Sequence, residues 1–199
     1  ENTIFVFTSD NGPAVSGHGG VDSDYFNSAA GLRGYKGSVY DGGIKVPTVV
    51  RWKGKVKAGS KSDYVSGFED WLPTLLHLTG VQSKAPTDID GINLAPVLLG
   101  KKLPERPFLY REFPAPGYGG QQSLRIGHWK AVRQNLNRRD KSEPNLHIEL
   151  YNLKKDPAES KDVSAQNPKI VAKMERIMME QRVPSEDFRF PALDKLTIR

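Results

Sequence analysis

Apolar and polar residues follow one another in a pattern that predicts two short strands early in the chain, separated by a long loop. Residues 4–8 (IFVFT) form a continuous β-rich apolar run, which is typical of a strand buried on both faces in an α/β sheet. A second short strand is predicted over residues 46–52 (VPTVVRW). Residues 9–45 have neither helical nor strand periodicity. A loop of that length inside a compact domain is usually functional or disordered.

Helical periodicity appears in two later segments. Residues 65–80 (VSGFEDWLPTLLHLTG) begin with acidic residues and end at Gly80, as a helix with a glycine terminator does. Residues 168–182 predict an amphipathic helix. The predicted apolar faces are Leu72, Leu75, Leu76 and Leu78 in the first helix, and Ile170, Val171, Met174, Ile177 and Met178 in the second.

Four short apolar runs in the second half of the chain predict a small antiparallel sheet. They cover residues 108–113, 123–126, 129–133 and 147–153, with a tight turn at Gly127-His128. The pattern changes near residue 105, so we predict one domain over residues 1–105 and a small α+β subdomain with a tail over residues 106–199. The predicted fold class is α/β.

Composition narrows the possible functions. Among the 199 residues, the apolar share of 37% and the charged share of 26% indicate a globular protein. The net charge of +6 fits either an ordinary lysine-rich surface or attraction of an anionic ligand. The basic residues form no dense block with interleaved aromatics, so a nucleic-acid partner is not expected. No apolar run approaches the roughly 20 residues of a membrane span, so no membrane partner is expected either.

The absence of cysteine excludes several kinds of chemistry within these residues. With no cysteine in the sequence, the 199 residues can form no disulfide, zinc-thiolate site or thiol nucleophile. The chain also opens directly on a strand, without a preceding cap or linker. We therefore expect it to be part of something larger.

The first candidate for chemistry is the pair Asp10-Asn11, which follows the first apolar run. Asp-Asn-Gly is common in tight turns, because Asn and Gly tolerate positive φ. Ligand sites in open α/β sheets, however, lie at the carboxyl ends of strands. A carboxylate beside an amide carbonyl also offers two hard oxygens, which suit Ca²⁺ or Mg²⁺ rather than zinc.

The second candidate is Lys36, in the stretch LRGYKGSVYDGG. Glycines on both sides allow close backbone approach, and a lysine is a compact positive charge for an anionic oxygen. Taken alone, a glycine-rich loop with one lysine is a weak signal.

In combination, these stretches and several later ones resemble a known family. The order SDNG, LRGYKGSVYDGGIKVP, EDWLPTLLHLTG and DGINLAPVLLG is similar to that of the type I, formylglycine-dependent sulfatases of the alkaline phosphatase superfamily. REFPAPGYGGQQSLRIGHWKAV and LYNLKKDPAESKDVSAQNP resemble the smaller C-terminal domain of these enzymes, and the similarity is greatest to bacterial sulfatases that act on sulfated carbohydrates. The resemblance implies the C-terminal part of an alkaline-phosphatase-like three-layer α/β/α domain, followed by a small subdomain of antiparallel sheet plus helix.

The resemblance also implies roles for particular residues. Asp10 and Asn11 match a pair of calcium ligands, with Mg²⁺ as the alternative ion, and Lys36 matches the lysine that contacts the sulfate group. Asp41-Gly42-Gly43 stands where the family usually has Glu-Gly-Gly, and Lys45 where it often has Arg. The residues implied in contacts with the sugar are His18, Arg33, Glu112, Gln121, Gln122 and Arg125. For Gln122 and Arg125, simple exposure on a strand is the alternative explanation.

One departure from the family is large. The family takes its nucleophile from a Cys/Ser-x-Pro-x-Arg segment that is modified to formylglycine, and this chain has neither a cysteine nor a Ser-x-Pro-x-Arg sequence. We therefore expect this chain to be the C-terminal portion of a sulfatase, with the N-terminal half of the same enzyme as its partner. In isolation, the chain is expected to be inactive and prone to aggregation. By resemblance, the compartment would be periplasmic or extracellular.

Two other functions remain open from the sequence. A phosphomonoester or phosphonate hydrolase of the same superfamily would bind a similar tetrahedral anion with the same residues. A non-catalytic glycan-binding module would keep the fold without the nucleophile. The sugar, the position of its sulfate group and the choice between exo and endo cleavage are not indicated.

Overall fold

Contacts between residues divide the chain into two units that do not follow the order of the sequence. The computed structural model describes residues 2–81, 84, 86–140 and 143–197. The first unit comprises Glu1–Asp10 and Val46–Leu109, and the second comprises Asn11–Lys45 and Tyr110–Arg199. The long loop after Asp10 therefore groups with the second half of the chain. The predicted domain boundary near residue 105 stays a prediction.

Helices and strands are short throughout the described residues. The strands are β1 (Phe5–Phe7), β2 (Val49–Arg51), β3 (Leu109–Phe113), β4 (Gln121–Ile126), β5 (Trp129–Arg133) and β6 (Glu149–Asn152). The helices are α1 (Asp41–Ile44), α2 (Trp71–Leu78), α3 (Ala95–Leu98), α4 (Pro168–Glu180) and α5 (Pro191–Thr197). None of the helices in these ranges combines the length and the apolar character needed to cross a bilayer.

Strands β1 and β2 pair antiparallel in the first unit, with Val6 opposite Val50. Both predicted strands are therefore present, but the expected burial of β1 on both faces is wrong for this chain. Phe5 is 55% exposed and Phe7 is 60% exposed. The reason is that the sheet containing β1 has two strands in the described residues, and a single pair of strands has too little neighbouring structure to cover its apolar side chains.

Helix α2 is shorter than its predicted range, because residues 68–70 form a 3₁₀ turn before it. Gly80 ends it as predicted, with φ of 78°. The N–H of Val81 donates to the carbonyl of Leu76 at 2.8 Å and that of Gly80 to His77 at 3.1 Å. This pair of bonds satisfies the last carbonyls of the helix and is the Schellman arrangement.

Asp70 is a buried junction in the first unit. Its carboxylate accepts the N–H of Gly67 at 2.7 Å and that of Ile92 at 2.8 Å, and the Arg106 guanidinium lies 2.6 Å away. The Thr74 hydroxyl donates to the Asp70 carbonyl at 2.6 Å and is itself fully buried. The predicted apolar face of α2 is therefore partly wrong, since Leu72 and Leu75 are exposed while this polar group lies inside.

The second unit is built on a four-stranded antiparallel sheet in the order β3-β4-β5-β6. All four predicted strands are present, and the turn at Gly127-His128 joins β4 to β5 with Ile126 opposite Trp129. Helix α4 packs on β4 and β5. Its fully buried Met174 and Met178 belong to the predicted apolar stripe.

The last helix, α5, was expected only as a tail. Phe190 and Leu193 pack with Leu136 in a small apolar cluster. The Asp194 carboxylate accepts the Phe190 N–H at 3.1 Å and pairs with Arg182 at 2.5 Å. These contacts pack α5 into the second unit through the buried residues Phe190 and Leu193.

Candidate active-site loop

The loop of residues 11–45 is held in shape by bonds between its own backbone segments. The N–H of Gly12 donates to the carbonyl of Gly43 at 2.8 Å, and the N–H of Lys36 donates to the carbonyl of Pro13 at 2.8 Å. A Cβ on Gly12 would overlap the carbonyl of Gly42. The turn that starts at Asn11 therefore lies directly against the segment that carries Lys36 and the start of α1.

The backbone directly after Lys36 favours glycine. Gly37 has φ of 89°, and a Cβ at this position would overlap the ring of Tyr118. Positive φ is open to glycine at little cost, whereas other residues are strained there. The Tyr118 ring therefore covers the backbone of Gly37, whereas Lys36 itself is exposed.

Gln121, at the start of β4, bonds to the same stretch of loop. Its side-chain carbonyl accepts the N–H of Val39 at 3.0 Å, and its amide group donates to the carbonyl of Gly37 at 2.7 Å and of Tyr118 at 3.1 Å. The residue is 4% exposed. Buried backbone polar groups need such partners, and here one side chain supplies them for two loop residues.

A buried ionic cluster fixes the far end of the loop, where α1 begins. The ammonium of Lys130 lies 2.6 Å from the Asp41 carboxylate and 2.8 Å from that of Glu159, and Lys130 is 1% exposed. The N–H of Asp41 also donates to Glu159 at 2.6 Å. Burial raises the pKa of Glu159, and the charge of Lys130 and the Asp41 N–H act against that rise. The cluster ties the segment Asp41-Gly42-Gly43 to β5.

Arg33 lies in an aromatic setting at the base of the loop. Its guanidinium is 3.9 Å from the centre of the Tyr40 ring and donates to the Tyr151 hydroxyl at 2.8 Å and the Glu159 carbonyl at 2.9 Å. Burial, together with the carboxylate of Glu149, raises the pKa of both tyrosines above its ordinary value. These contacts give Arg33 a role within the chain, and its predicted contact with a sugar stays a prediction.

Glu112 and Gln122, two other residues predicted to contact the sugar, are brought together on neighbouring strands around the Tyr110 hydroxyl. The hydroxyl of Tyr110 donates to Glu112, and the amide of Gln122 donates to the same hydroxyl at 2.8 Å. Glu112 also pairs with Arg182 at 3.1 Å. Burial, followed by the bond to Glu112, raises the pKa of Tyr110.

Arg125 and His18 are not part of that pair. Arg125 lies three positions after Gln122 in β4, so the two side chains leave opposite faces of the sheet. Its Nε donates to the carbonyl of Gly127 at 3.0 Å. His18 is exposed on a 3₁₀ turn, His18–Gly20. The substrate contacts expected of these residues stay predictions.

The predicted metal ligands, Asp10 and Asn11, are consecutive in the sequence. Asp10 ends the first segment of the first unit, and Asn11 begins the second unit. Asp10 is exposed, and the pair supplies two hard oxygens of the kind that Ca²⁺ and Mg²⁺ prefer. Among the described residues, no group of three or more His, Cys, Asp or Glu side chains is arranged to hold a metal ion. The pair thus fits part of a coordination shell.

The groups that hold the loop were not predicted from the sequence. They are the cluster of Lys130, Asp41 and Glu159, and the anchor Gln121. Lys130 and Asp41 are 89 residues apart, and Gln121 and Val39 are 82 residues apart. The one available signal was a lysine within an apolar strand, WKAVR, since a buried lysine requires an acidic partner. That signal does not identify the partner.

Comparison with known proteins agrees with the resemblance found in the motifs. Residues 1–81 match the model of the sulfatase family. An N-acetylgalactosamine-6-O-sulfatase of Bacteroides thetaiotaomicron is 28% identical over 192 residues, which is 89% of this chain and 36% of that protein. Human arylsulfatase A is 29% identical over 200 residues, which is 90% of this chain and 38% of that protein.

Solved structures agree in fold. A protein in complex with its substrate, D-glucosamine-2-N,6-O-disulfate, superposes with a TM-score of 0.64 at 25% identity, covering 90% of this chain and 34% of that one. The α/β fold class, with a part of the sulfatase fold present, is thereby confirmed. The chain spans little more than a third of the length of the relatives it matches. Residues 1–81 thus match the sulfatase family, and sulfatases that are 28–29% identical align with about nine-tenths of the chain.

Proposed function

We propose that the chain forms part of a sulfuric ester hydrolase that removes sulfate from a sulfated carbohydrate. The observation that carries the proposal is the loop around Lys36, an exposed cation whose backbone is bonded to the turn that follows Asn11. The bacterial relative named for N-acetylgalactosamine and the structure solved with a sulfated glucosamine support a sugar substrate.

Within this proposal, Lys36 binds the sulfate group. Its ammonium neutralises negative charge that shifts during cleavage of the ester, and such preorganised charge is among the strongest contributions to catalysis. Its loop is anchored at both ends before substrate arrives, so little reorganisation is needed. His18, Arg33, Glu112 and Arg125 are assigned to the sugar side of the substrate. The amide of Gln122 is fully buried and bonded to Tyr110, so a contact between Gln122 and the sugar is not part of the proposal.

Asp10 and Asn11 are assigned to a divalent cation, Ca²⁺ by preference. When bound, such an ion acts as a Lewis acid on the oxygens of the ester. The two residues supply a carboxylate and an amide oxygen, and the remaining ligands are assigned to other parts of the protein. Formylglycine has no candidate position here, since the sequence lacks both cysteine and Ser-x-Pro-x-Arg. We assign formylglycine to an N-terminal half of the same enzyme. The enzyme as a whole is assigned to the periplasm or the outside of the cell.

The proposal is tested by the hydrolysis of paired esters by the whole protein. An aryl sulfate and an aryl phosphate with the same leaving group differ only in the anion, so the ratio of their kcat/KM values reports the preference directly. We expect the sulfate to be the better substrate by at least an order of magnitude. A preference for the phosphate would indicate the phosphomonoesterase alternative, and no turnover of either ester, or of sulfated sugars, would favour a binding module.

A further inference from the structure

Gln121 bonds to the main chain of Gly37 and Val39, one and three residues after Lys36. Its side-chain amide bonds to the main chain on both sides of Ser38, accepting from Val39 at 3.0 Å and donating to Gly37 at 2.7 Å. Both bonds cross from β4 to the loop, which is more than 80 positions away in sequence. Gln121 therefore gives the loop backbone the hydrogen-bond partners that a neighbouring strand would otherwise supply.

We propose that Gln121 is a positioning residue for Lys36. It does not contact the lysine side chain; it fixes the main chain from which that side chain extends. The inference rests on the proposed role of Lys36 at the sulfate group. It differs from the sequence-based assignment of Gln121 to the sugar, because the amide of Gln121 is buried and bonded to the loop.

Two other contacts restrict the same segment, so Gln121 completes a fixed frame. The Lys36 N–H is bonded to Pro13, and the Tyr118 ring lies over Gly37. The amide of Gln134 donates to the Gln121 carbonyl oxygen at 3.0 Å, so that oxygen receives both the Val39 N–H and this amide. The bonding partners also determine the orientation of the Gln121 amide. Its oxygen must face the Val39 N–H, which can only donate, and its nitrogen must face the Gly37 carbonyl, which can only accept.

The chemistry requires an amide at this position. Methionine has a similar length and fills the space, but it neither accepts from Val39 nor donates to Gly37. Glutamate has nearly the same shape and still accepts from Val39, yet it places a carboxylate oxygen against the carbonyls of Gly37 and Tyr118, which lose their donor. Both substitutions release the segment behind Lys36 while leaving the lysine in place.

The test is a double-mutant cycle for turnover of a sulfate ester by the whole protein. We expect Gln121→Met to lower kcat about 10- to 100-fold with KM changed less than about threefold, since a displacement of about 1 Å can cost a hundredfold in rate. In a Lys36→Ala background, the same change is expected to have almost no further effect, because the positioned group is gone. Gln134→Met is the matched control: it removes a bond to the same oxygen but leaves both bonds to the loop, and should keep kcat within about threefold.

A merely structural role gives a different result. Loss of folded enzyme through Gln121→Met would lower kcat by the same factor with and without Lys36, and that outcome would overturn the proposal. Unchanged kcat in folded Gln121→Met would overturn it as well. If the methionine variant does not fold, Gln121→Glu is measured in the same cycle, with the same two outcomes deciding.

Failure of the proposed function can be told apart from failure of this inference. Near-normal turnover by Lys36→Ala would contradict the assignment of the lysine itself. A large loss with Lys36→Ala but none with Gln121→Met would contradict the positioning role alone. Hydrogen exchange at the Val39 amide needs no activity: Gln121→Met should accelerate it at least tenfold, and unchanged exchange would show that Gln121 does not hold the loop.

Discussion

The ammonium of Lys130 lies 2.6 Å from the carboxylate of Asp41, and both side chains are almost completely buried. A second carboxylate, that of Glu159, lies 2.8 Å from the same ammonium. The single positive charge of Lys130 is thus shared by two carboxyl groups where the loop of Lys36 joins α1. Removing charges from water is costly, so each member of such a cluster depends on the others.

We predict that Lys130→Met strongly destabilises the protein, because two buried carboxylates lose their counter-ion. Removal of one partner from a buried ion pair typically costs about 3–5 kcal/mol. Urea unfolding of the purified protein measures the loss. Adding Glu159→Gln to Lys130→Met should recover part of it, since only one buried acid then remains. A loss below about 1 kcal/mol would contradict the interdependence of the cluster.

The junction at Asp70 is expected to behave in the same way in the first unit. Arg106→Met leaves the buried Asp70 carboxylate with N–H donors but without its cation, and should cost about 3–5 kcal/mol. The measurement is the unfolding free energy, with hydrogen exchange at Ile92 as a local probe, because that N–H donates to Asp70. Exchange at Ile92 that stays at the level of the unchanged protein would argue against the junction.

Gly37→Ala is predicted to be far more harmful than Gly54→Ala, although both glycines have positive φ. Gly37 and Gly54 have φ of 89° and 75°, but only at Gly37 would a Cβ meet a neighbour, the Tyr118 ring. Strain in the backbone alone costs of the order of 1 kcal/mol. We expect Gly37→Ala to lower kcat at least tenfold and Gly54→Ala to leave it unchanged. Equal effects of the two substitutions would remove the case for close packing behind Lys36.

A pH effect is expected from Asp162. Burial alone would raise the pKa of this carboxyl. Its hydrogen bonds with the N–H groups of Leu150 and Ser164 and with the His147 ring outweigh that effect, so the pKa lies below its ordinary value of 3.8. The unfolded chain therefore binds a proton at higher pH than the folded chain. The stability that the ionised group contributes is complete above pH 4 and is lost as the pH falls through the folded pKa.

Asp162→Asn should therefore flatten the loss of stability that occurs as the pH falls below about 4. Urea midpoints at pH 6, 4, 3 and 2 measure this dependence. Asp187→Asn, a change of the same type at an exposed position, serves as the control and should keep the slope of the unchanged protein. An unaltered slope in Asp162→Asn would show that the group does not contribute in this way.

Local patterns predicted the elements of the fold whose causes are local. Gly80 ends α2 with positive φ, and the short apolar runs in the second half became β3 to β6. The burial of β1 was wrongly predicted, because burial depends on neighbouring strands that the run IFVFT does not encode. Helix α5 was missed, since its stability comes from packing on Leu136 and from the ion pair with Arg182.

The residues of the candidate site likewise fall into those predicted from local motifs and those that only the folded structure identifies. Motif order identified Asp10, Asn11 and Lys36 through resemblance to a family. The groups that fix the loop, such as Gln121 and Lys130, act across 80 or more positions of sequence. No periodicity or spacing along the chain connects them, so only the folded structure places them together.

The most direct test of the account is the turnover of a sulfate ester by the whole protein with Lys36→Ala. Loss of one preorganised charged donor typically costs about a hundredfold or more in kcat. We predict a loss of that size with an unchanged melting temperature, while Lys173→Ala, at an exposed position on α4, keeps normal turnover. Near-normal kcat in the folded Lys36→Ala protein would contradict the role of this loop at the sulfate group.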